Sequence, residues 1–198
     1  MTVDNHLCIF LRVPGIGRVK TRLAHDIGAV AAWSFYRTQL ARTIRNLERD
    51  GRWRLTLAVT PETAVADCRL LRGRAVIGQG GGDLGTRMAR VADALPPGPV
   101  VIVGVDAPAL MPRHVAAAFR ALGHADAVFG PAADGGYWLV GLRRRPRPLG
   151  IFENVRWSSE HALADTLANL GGRPHVFLET LEDVDDGAAY WRWRRQRL

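Results

Sequence analysis

Several stretches of this chain combine glycine, charge and position in ways that suit phosphate chemistry. The first is Gly15-Ile16-Gly17-Arg18-Val19-Lys20-Thr21-Arg22, which follows an apolar run and leads into a helical pattern. Gly15 and Gly17 let the backbone come close to a ligand, and amide groups at a helix start point at anions. Arg18, Lys20 and Arg22 add three cationic side chains, so a nucleotide diphosphate or triphosphate is the expected partner. The loop is neither GxxxxGK[ST] nor GxGxxG, because Lys20 holds the third glycine position. Lys20 is also the only lysine among 27 basic residues. Its ammonium is a compact point charge that arginine's planar fork does not replace. A lone lysine in this loop therefore suggests a chemical requirement.

The second stretch is Gly104-Val105-Asp106-Ala107-Pro108, at the end of the most apolar run of the chain. It places the Asp106 carboxylate at the ligand edge of a sheet. Magnesium is usually held by one or two carboxylates plus substrate phosphates, and Asp106 meets that demand; the competing role is a turn or cap before Pro108. In the third, Asp134-Gly135-Gly136-Tyr137, the residues either line a substrate pocket or form a turn before a strand. In the fourth, Leu181 to Asp186, alternation puts Asp183 and Asp185 on one side and Val184 on the other. Either Asp183 or Asp185 would complete a metal site; the competing role is N-capping of a last helix by Asp185 or Asp186. The fifth, Gln79 to Met88, is glycine-rich. Gln79 is suited to a base edge, and a flexible lid is the alternative. The six histidines are scattered without ligand spacing, and no GxSxG elbow or Cys/His pairing argues for covalent catalysis.

These residues need elements to position them. Apolar or alternating runs predict strands over Leu7–Val13, Trp53–Val59, Arg74–Ile77, Pro99–Val105, Ala125–Gly130, Gly136–Leu142 and Arg173–Leu178. Helical spacing follows the first strand as far as Asp50-Gly51. It returns after Pro61, around Met88, Val91 and Leu95, from Pro112 to Leu122, from Ser158 to Leu170 with Ser158 as N-cap, and around Tyr190, Trp191 and Trp193. Strands alternating with helices imply an α/β fold of three layers around a mainly parallel sheet. Ligands bind such sheets beyond the carboxyl ends of the strands, near the switch in strand order.

The 198 residues fit one domain spanning 1–198, and 47% hydrophobic composition supplies a full core. No apolar run is long enough to cross a membrane. The opening MTVDNHLCIF lacks a basic n-region and a cleavage site, so the expected location is the cytoplasm. Cys8 and Cys68 read as isolated reduced thiols. The net charge of +8 gathers partly in Arg143, Arg144, Arg145 and Arg147 and in Arg192, Arg194, Arg195 and Arg197. Both clusters read as solvated surface, and nucleic acid is not the expected partner.

FLRVPGIGRVKTRLA, GGDLGTRM, GVDAP, GPAADGGYWLVGL, VRWSSEHAL and LEDVDD occur here in that order. With them the chain resembles the GT-A-like transferases described as radical-SAM/selenodomain-associated transferases. These are similar to the guanylyltransferase of deazaflavin-cofactor biosynthesis and, more remotely, to molybdenum-cofactor guanylyltransferase. The resemblance implies a GT-A-type nucleotide-diphosphosugar transferase fold. It assigns Lys20, Arg18 and Arg22 to the phosphates, Asp106 with Asp183 or Asp185 to the metal, and Gln79 and Asp83 to the base or ribose. Val105 stands where relatives often carry serine, and Asp186-Gly187-Ala188-Ala189 replaces a Thr-Pro-like turn.

Together these readings predict a transferase dependent on Mg2+ or Mn2+, with a nucleotide sugar or a nucleoside triphosphate as donor and a small-molecule acceptor. Glycosyl transfer is the first expectation. Nucleotidyl transfer to a small phosphorylated acceptor is the second. A catalytically inactive nucleotide- or polyanion-binding protein is the third.

Overall fold

The computed structural model describes residues 4–65, 68–144 and 149–196. Its frame is a seven-stranded sheet in the order β3-β2-β1-β4-β6-β5-β7. In chain order the elements are β1 (His6–Arg12), α1 (Thr21–Ile27), α2 (Ala29–Glu48), β2 (Arg54–Thr60), β3 (Val76–Gly78), α3 (Leu84–Ala94) and β4 (Val100–Val103). There follow α4 (Pro112–Ala121), β5 (Ala127–Pro131), β6 (Tyr137–Leu142), α5 (Ala162–Asn169), β7 (His175–Phe177) and α6 (Gly187–Arg195).

Strand β1 pairs in parallel with both β2 and β4, β2 with β3, and β5 with β7. Strand β6 runs antiparallel to both of its neighbours, with Val103 opposite Leu139. The start of β6 therefore lies at the same edge as the carboxyl ends of β1 and β4. Three loops meet there: residues 13–20, 104–106 and 132–136.

The alternation of β1 explains the layering. Leu7, Ile9 and Leu11 face a core closed by α2 and α4, while Cys8 and Phe10 face a core closed by α3 and α5. A third, smaller cluster joins α1, α2 and α6 through Leu23, Ala32, Phe35, Tyr190, Trp193 and Val184. Val184 is 2% exposed, so burying it pins the acidic segment 181–186 against these helices. Its backbone N–H donates to the carbonyl of Asp106 at 2.9 Å, which ties two distant acidic segments together.

Several element boundaries differ from expectation. Pro61 opens only a three-residue 3-10 turn, Glu62–Ala64. Strand β3 lies two residues later than its predicted start. Ser158 caps no helix: its φ is 59°, left-handed, and α5 begins at Ala162 after an irregular stretch. Arg144, read as surface charge, instead donates to the carbonyls of Ala92, Leu95, Pro96 and Gly98, closing the end of α3. Arg192 pairs with Glu182, and Arg194 lies over the Trp191 ring. Arg145, Arg147 and Arg197 lie outside the described residues. Both cysteines are free, Cys8 buried and Cys68 partly so. No helix among the described residues is long and apolar enough to cross a membrane.

Candidate functional site

An open cleft of about 860 Å³ lies over the edge where β1, β4 and β6 meet. Its cationic wall comes from one short segment, contributing Arg12, Arg18, Lys20 and Arg22. Its acidic wall is assembled from distant segments and contributes Asp106, Asp134, Glu160, Asp183 and Asp185.

The basic loop is fixed at both ends. Val19 is buried in the main core, and the N–H of Arg18 donates to the carbonyl of Gly15. Tyr36, buried on α2, donates through its hydroxyl to the Arg12 carbonyl and accepts from the Arg12 N–H. Lys20 occupies the N-cap position of α1 with φ 49° and ψ 51°, a left-handed conformation rare for a side chain of this size. Residues in such conformations cluster at functional sites. Its carbonyl starts α1 by accepting from the Ala24 N–H.

The Lys20 ammonium lies 2.5 Å from Asp106 Oδ1 and 2.5 Å from Asp185 Oδ1, and the lysine side chain is only 5% exposed. Burial alone would lower the Lys20 pKa, but the two carboxylates outweigh it and the net shift is upward. Asp183 has the opposite problem. Burial first, then repulsion from Asp106 and Asp185, push its carboxyl up to about 7 against the pull of Lys20. One of its oxygens, Oδ1, is buried without a hydrogen-bond partner.

Asp106, Asp183 and Asp185 all line the cleft, and Asp106 and Asp185 share the Lys20 ammonium. The convergence is not a finished chelate: no group of three His, Cys, Asp or Glu side chains among the described residues is arranged to hold an ion. The donor chemistry nevertheless fits a hard divalent cation: Asp106 and Asp185 share one partner, and near them Asp183 Oδ1 is buried without one.

The Asp134-Gly135-Gly136 turn is both structural and part of the cleft. Asp134 Oδ1 accepts from the Gly136 N–H, and Asp134, Gly136 and Tyr137 line the wall. Gly135 does not line it. It has φ 85°, and a Cβ there would fall 2.2 Å from the Glu160 carbonyl oxygen. Only glycine lets the 157–160 segment lie this close. That segment supplies Trp157, Ser158, Ser159 and Glu160 to the cleft. None of these four was singled out from the sequence as a site residue. The signal available was the Asp-Gly-Gly turn itself, whose close contact needs a partner strand of backbone.

The second glycine loop is placed differently from the expected base-reading role. Gln79 lines the cleft, but its side-chain amide donates to the carbonyls of Leu11 and Ala58, and the residue is 4% exposed. Asp83 caps α3 by accepting from the Thr86 N–H and is not among the residues lining the cleft. Gly15 and Gly17 shape the first loop without lining the cleft either.

The model of a family described as "Uncharacterized protein conserved in bacteria (DUF2064)" matches residues 43–159. No curated protein matches the chain. Among solved structures, a protein described as a nucleotide-diphospho-sugar transferase from Desulfovibrio desulfuricans G20 is 27% identical. It superposes with a TM-score of 0.84 over 93% of this chain and 84% of its own. The inositol-1-phosphate CTP transferase of T. maritima is 13% identical, with a TM-score of 0.62 over 94% and 91%. Glucosyl-3-phosphoglycerate synthase from Mycobacterium tuberculosis, in complex with Mn2+, UDP and glucosyl-3-phosphoglycerate, is 11% identical, with a TM-score of 0.59 over 96% and 75%. The architecture is that of the GT-A-type nucleotide-diphosphosugar transferases.

Proposed function

The chain belongs to the DUF2064 family, and from its cleft and its fold we propose a metal-dependent transferase with a nucleotide donor, foremost a glycosyltransferase acting on a nucleotide sugar. The observation that carries this reading is the convergence of the Lys20 ammonium with the Asp106 and Asp185 carboxylates, 2.5 Å from each, beside Arg18 and Arg22. The likeness to the Desulfovibrio nucleotide-diphospho-sugar transferase supports it.

In this reading Arg18, Lys20 and Arg22 bind the donor's phosphates and offset the charge that grows as the bond to the leaving group breaks. Held on Asp106 with Asp183 or Asp185, Mg2+ or Mn2+ would supply Lewis-acid neutralisation of those phosphate oxygens. Asp134, Tyr137, Trp157 and Glu160, which also line the cleft, orient the acceptor. An acceptor hydroxyl attacks the anomeric carbon, its proton is lost to water, and a nucleoside diphosphate leaves.

A second reading is nucleotidyl transfer, in which the acceptor attacks the α-phosphorus of a nucleoside triphosphate and pyrophosphate leaves. The lysine-bearing first loop favours it, as does the fold shared with an enzyme named as a CTP transferase. The resemblance to the guanylyltransferase of deazaflavin-cofactor biosynthesis points the same way.

Calorimetry against nucleotide sugars and nucleoside triphosphates, with and without Mg2+ or Mn2+, tests the shared premise. We expect metal-dependent binding of at least one. Release of nucleoside diphosphate or of pyrophosphate then separates the two reactions, and binding without turnover would mark an inactive binding protein. If no nucleotide binds, the transferase reading fails.

A further inference from the structure

Asp106 and Asp185 reach the cleft from different segments, and the Lys20 ammonium sits between them. The lysine side chain is 5% exposed, while the two carboxylates are 45% and 47% exposed. The cation is therefore the inner member of the trio. Asp183 stands close by with Oδ1 buried and unpartnered. The one ammonium contacts two carboxylates, and the nearby Asp183 keeps an oxygen without a partner.

A divalent cation carries twice that charge and takes six or more oxygen ligands. It would be drawn to the same point of convergence, and it cannot share that point with an ammonium. Arginine would be less easily released, because its fork binds carboxylates through several fixed donors, whereas the ammonium is a compact point charge on a flexible stem. This gives a physical reason why the one position holding lysine, in a chain whose other basic residues are all arginine, is this one.

We propose that Lys20 is the resident counter-ion of Asp106 and Asp185, that binding of a divalent cation expels it, and that the expelled ammonium is thereby delivered to the phosphate side of the cleft beside Arg18 and Arg22. The delivery step rests on the reading of the cleft as a phosphate site; the exchange itself rests only on the geometry. The left-handed backbone of Lys20, at the junction of loop and helix, places its side chain where the two walls meet. An ion site open for one part in ten to one in a hundred of the time binds about 10–100-fold more weakly than the same site left open.

Because Lys20 is the only lysine, it reports on itself. Wild-type protein is acetylated with a limiting amine reagent, with and without saturating Mg2+, and modification of Lys20 is followed by mass spectrometry. The expected result is a rise of at least ten-fold in its rate when Mg2+ is present. In parallel, Lys20→Met should bind Mn2+ alone about 10–100-fold more tightly than wild type by calorimetry. The labelling arm needs no substitution, so a variant that misfolds does not remove the test. Unchanged or slower labelling with metal, Mn2+ binding to Lys20→Met that is no tighter, or no Mn2+ binding by either protein would each overturn the exchange. Should metal expose Lys20 while no nucleotide binds, the exchange stands and the transferase reading falls.

Discussion

The two glycine-rich loops begin with similar sequence signals and end in opposite states. Each follows a strand, carries several glycines and leads into a helix. In the loop of residues 14–20, the polar groups aim at the cleft: Arg18, Lys20 and, on the first turn of α1, Arg22 all line it. In the loop of residues 79–83, the polar groups are engaged within the protein. Gln79 donates to the carbonyls of Leu11 and Ala58, the Gly80 N–H donates to Glu62, and Arg90 donates to the carbonyls of Gln79 and Gly81. Arg87 holds the Gly82 carbonyl, and Asp83 caps α3. Glycine gives both loops their bends. What separates the two is where their polar groups are engaged: Lys20 meets Asp106 and Asp185 at the cleft, whereas the second loop is held by carbonyls and side chains within the fold.

The comparison is broken most severely by removing the anchor on which the first loop converges. Asp106→Ala should abolish metal-dependent nucleotide binding, with affinity falling on the order of 100-fold or more, the scale on which truncating one partner of a close charge pair acts. Titration with Mn2+ and the preferred donor checks this, and retention of metal-dependent binding would remove Asp106 from the site. Next in size is Lys20→Ala. Losing a charge-assisted contact worth about 1.5–3 kcal/mol should weaken nucleotide binding about 10–100-fold while the chain stays folded. Circular dichroism together with calorimetry separates the two effects; unfolding in place of weaker binding would make Lys20 structural. In the second loop the pattern should invert. Gln79→Leu leaves two buried carbonyls without a donor and should cost about 1–3 kcal/mol of stability. Nucleotide affinity of the folded protein should change little. A large loss of affinity at unchanged melting temperature would instead restore Gln79 to a base-reading role.

The parts of this fold legible in the sequence are those governed by local pattern. Runs such as Leu7–Val13 and Pro99–Val105 identify their strands because both faces of the sheet are covered, and the end of the latter run marks where Asp106 must stand. Alternation in 183–185 puts Val184 on the side away from the two aspartates, and Val184 is buried while both aspartates line the cleft. What stayed hidden depends on partners remote in sequence. Ser158 looked like a helix cap, but the close contact of Gly135 with Glu160 holds 157–160 as a cleft wall and delays α5 to Ala162. Arg144 looked like surface charge, yet it satisfies carbonyls some fifty residues away. Gln79 looked free to read a base, because nothing local shows that Leu11 and Ala58 present carbonyls to it.

Asp83 offers the finest test of the contrast between the loops. It was assigned to the base or ribose through the resemblance, and in the structure it accepts from the Thr86 N–H at the start of α3. The Thr86 hydroxyl first, and then that N–H, hold its carboxyl below the usual carboxylate range. An N-cap acts on the helix it begins, so Asp83→Ala should lower the melting temperature by about 2–4 °C. Asp83→Asn or Asp83→Ser should restore most of that, since either side chain caps as well as aspartate does. A residue that read a ribose hydroxyl would behave otherwise: the alanine variant would lose nucleotide affinity, and serine, too short to reach the ligand, would not recover it. Melting curves and nucleotide titrations on the same three variants therefore decide whether the second loop carries ligand chemistry at its far end or only the helix that follows.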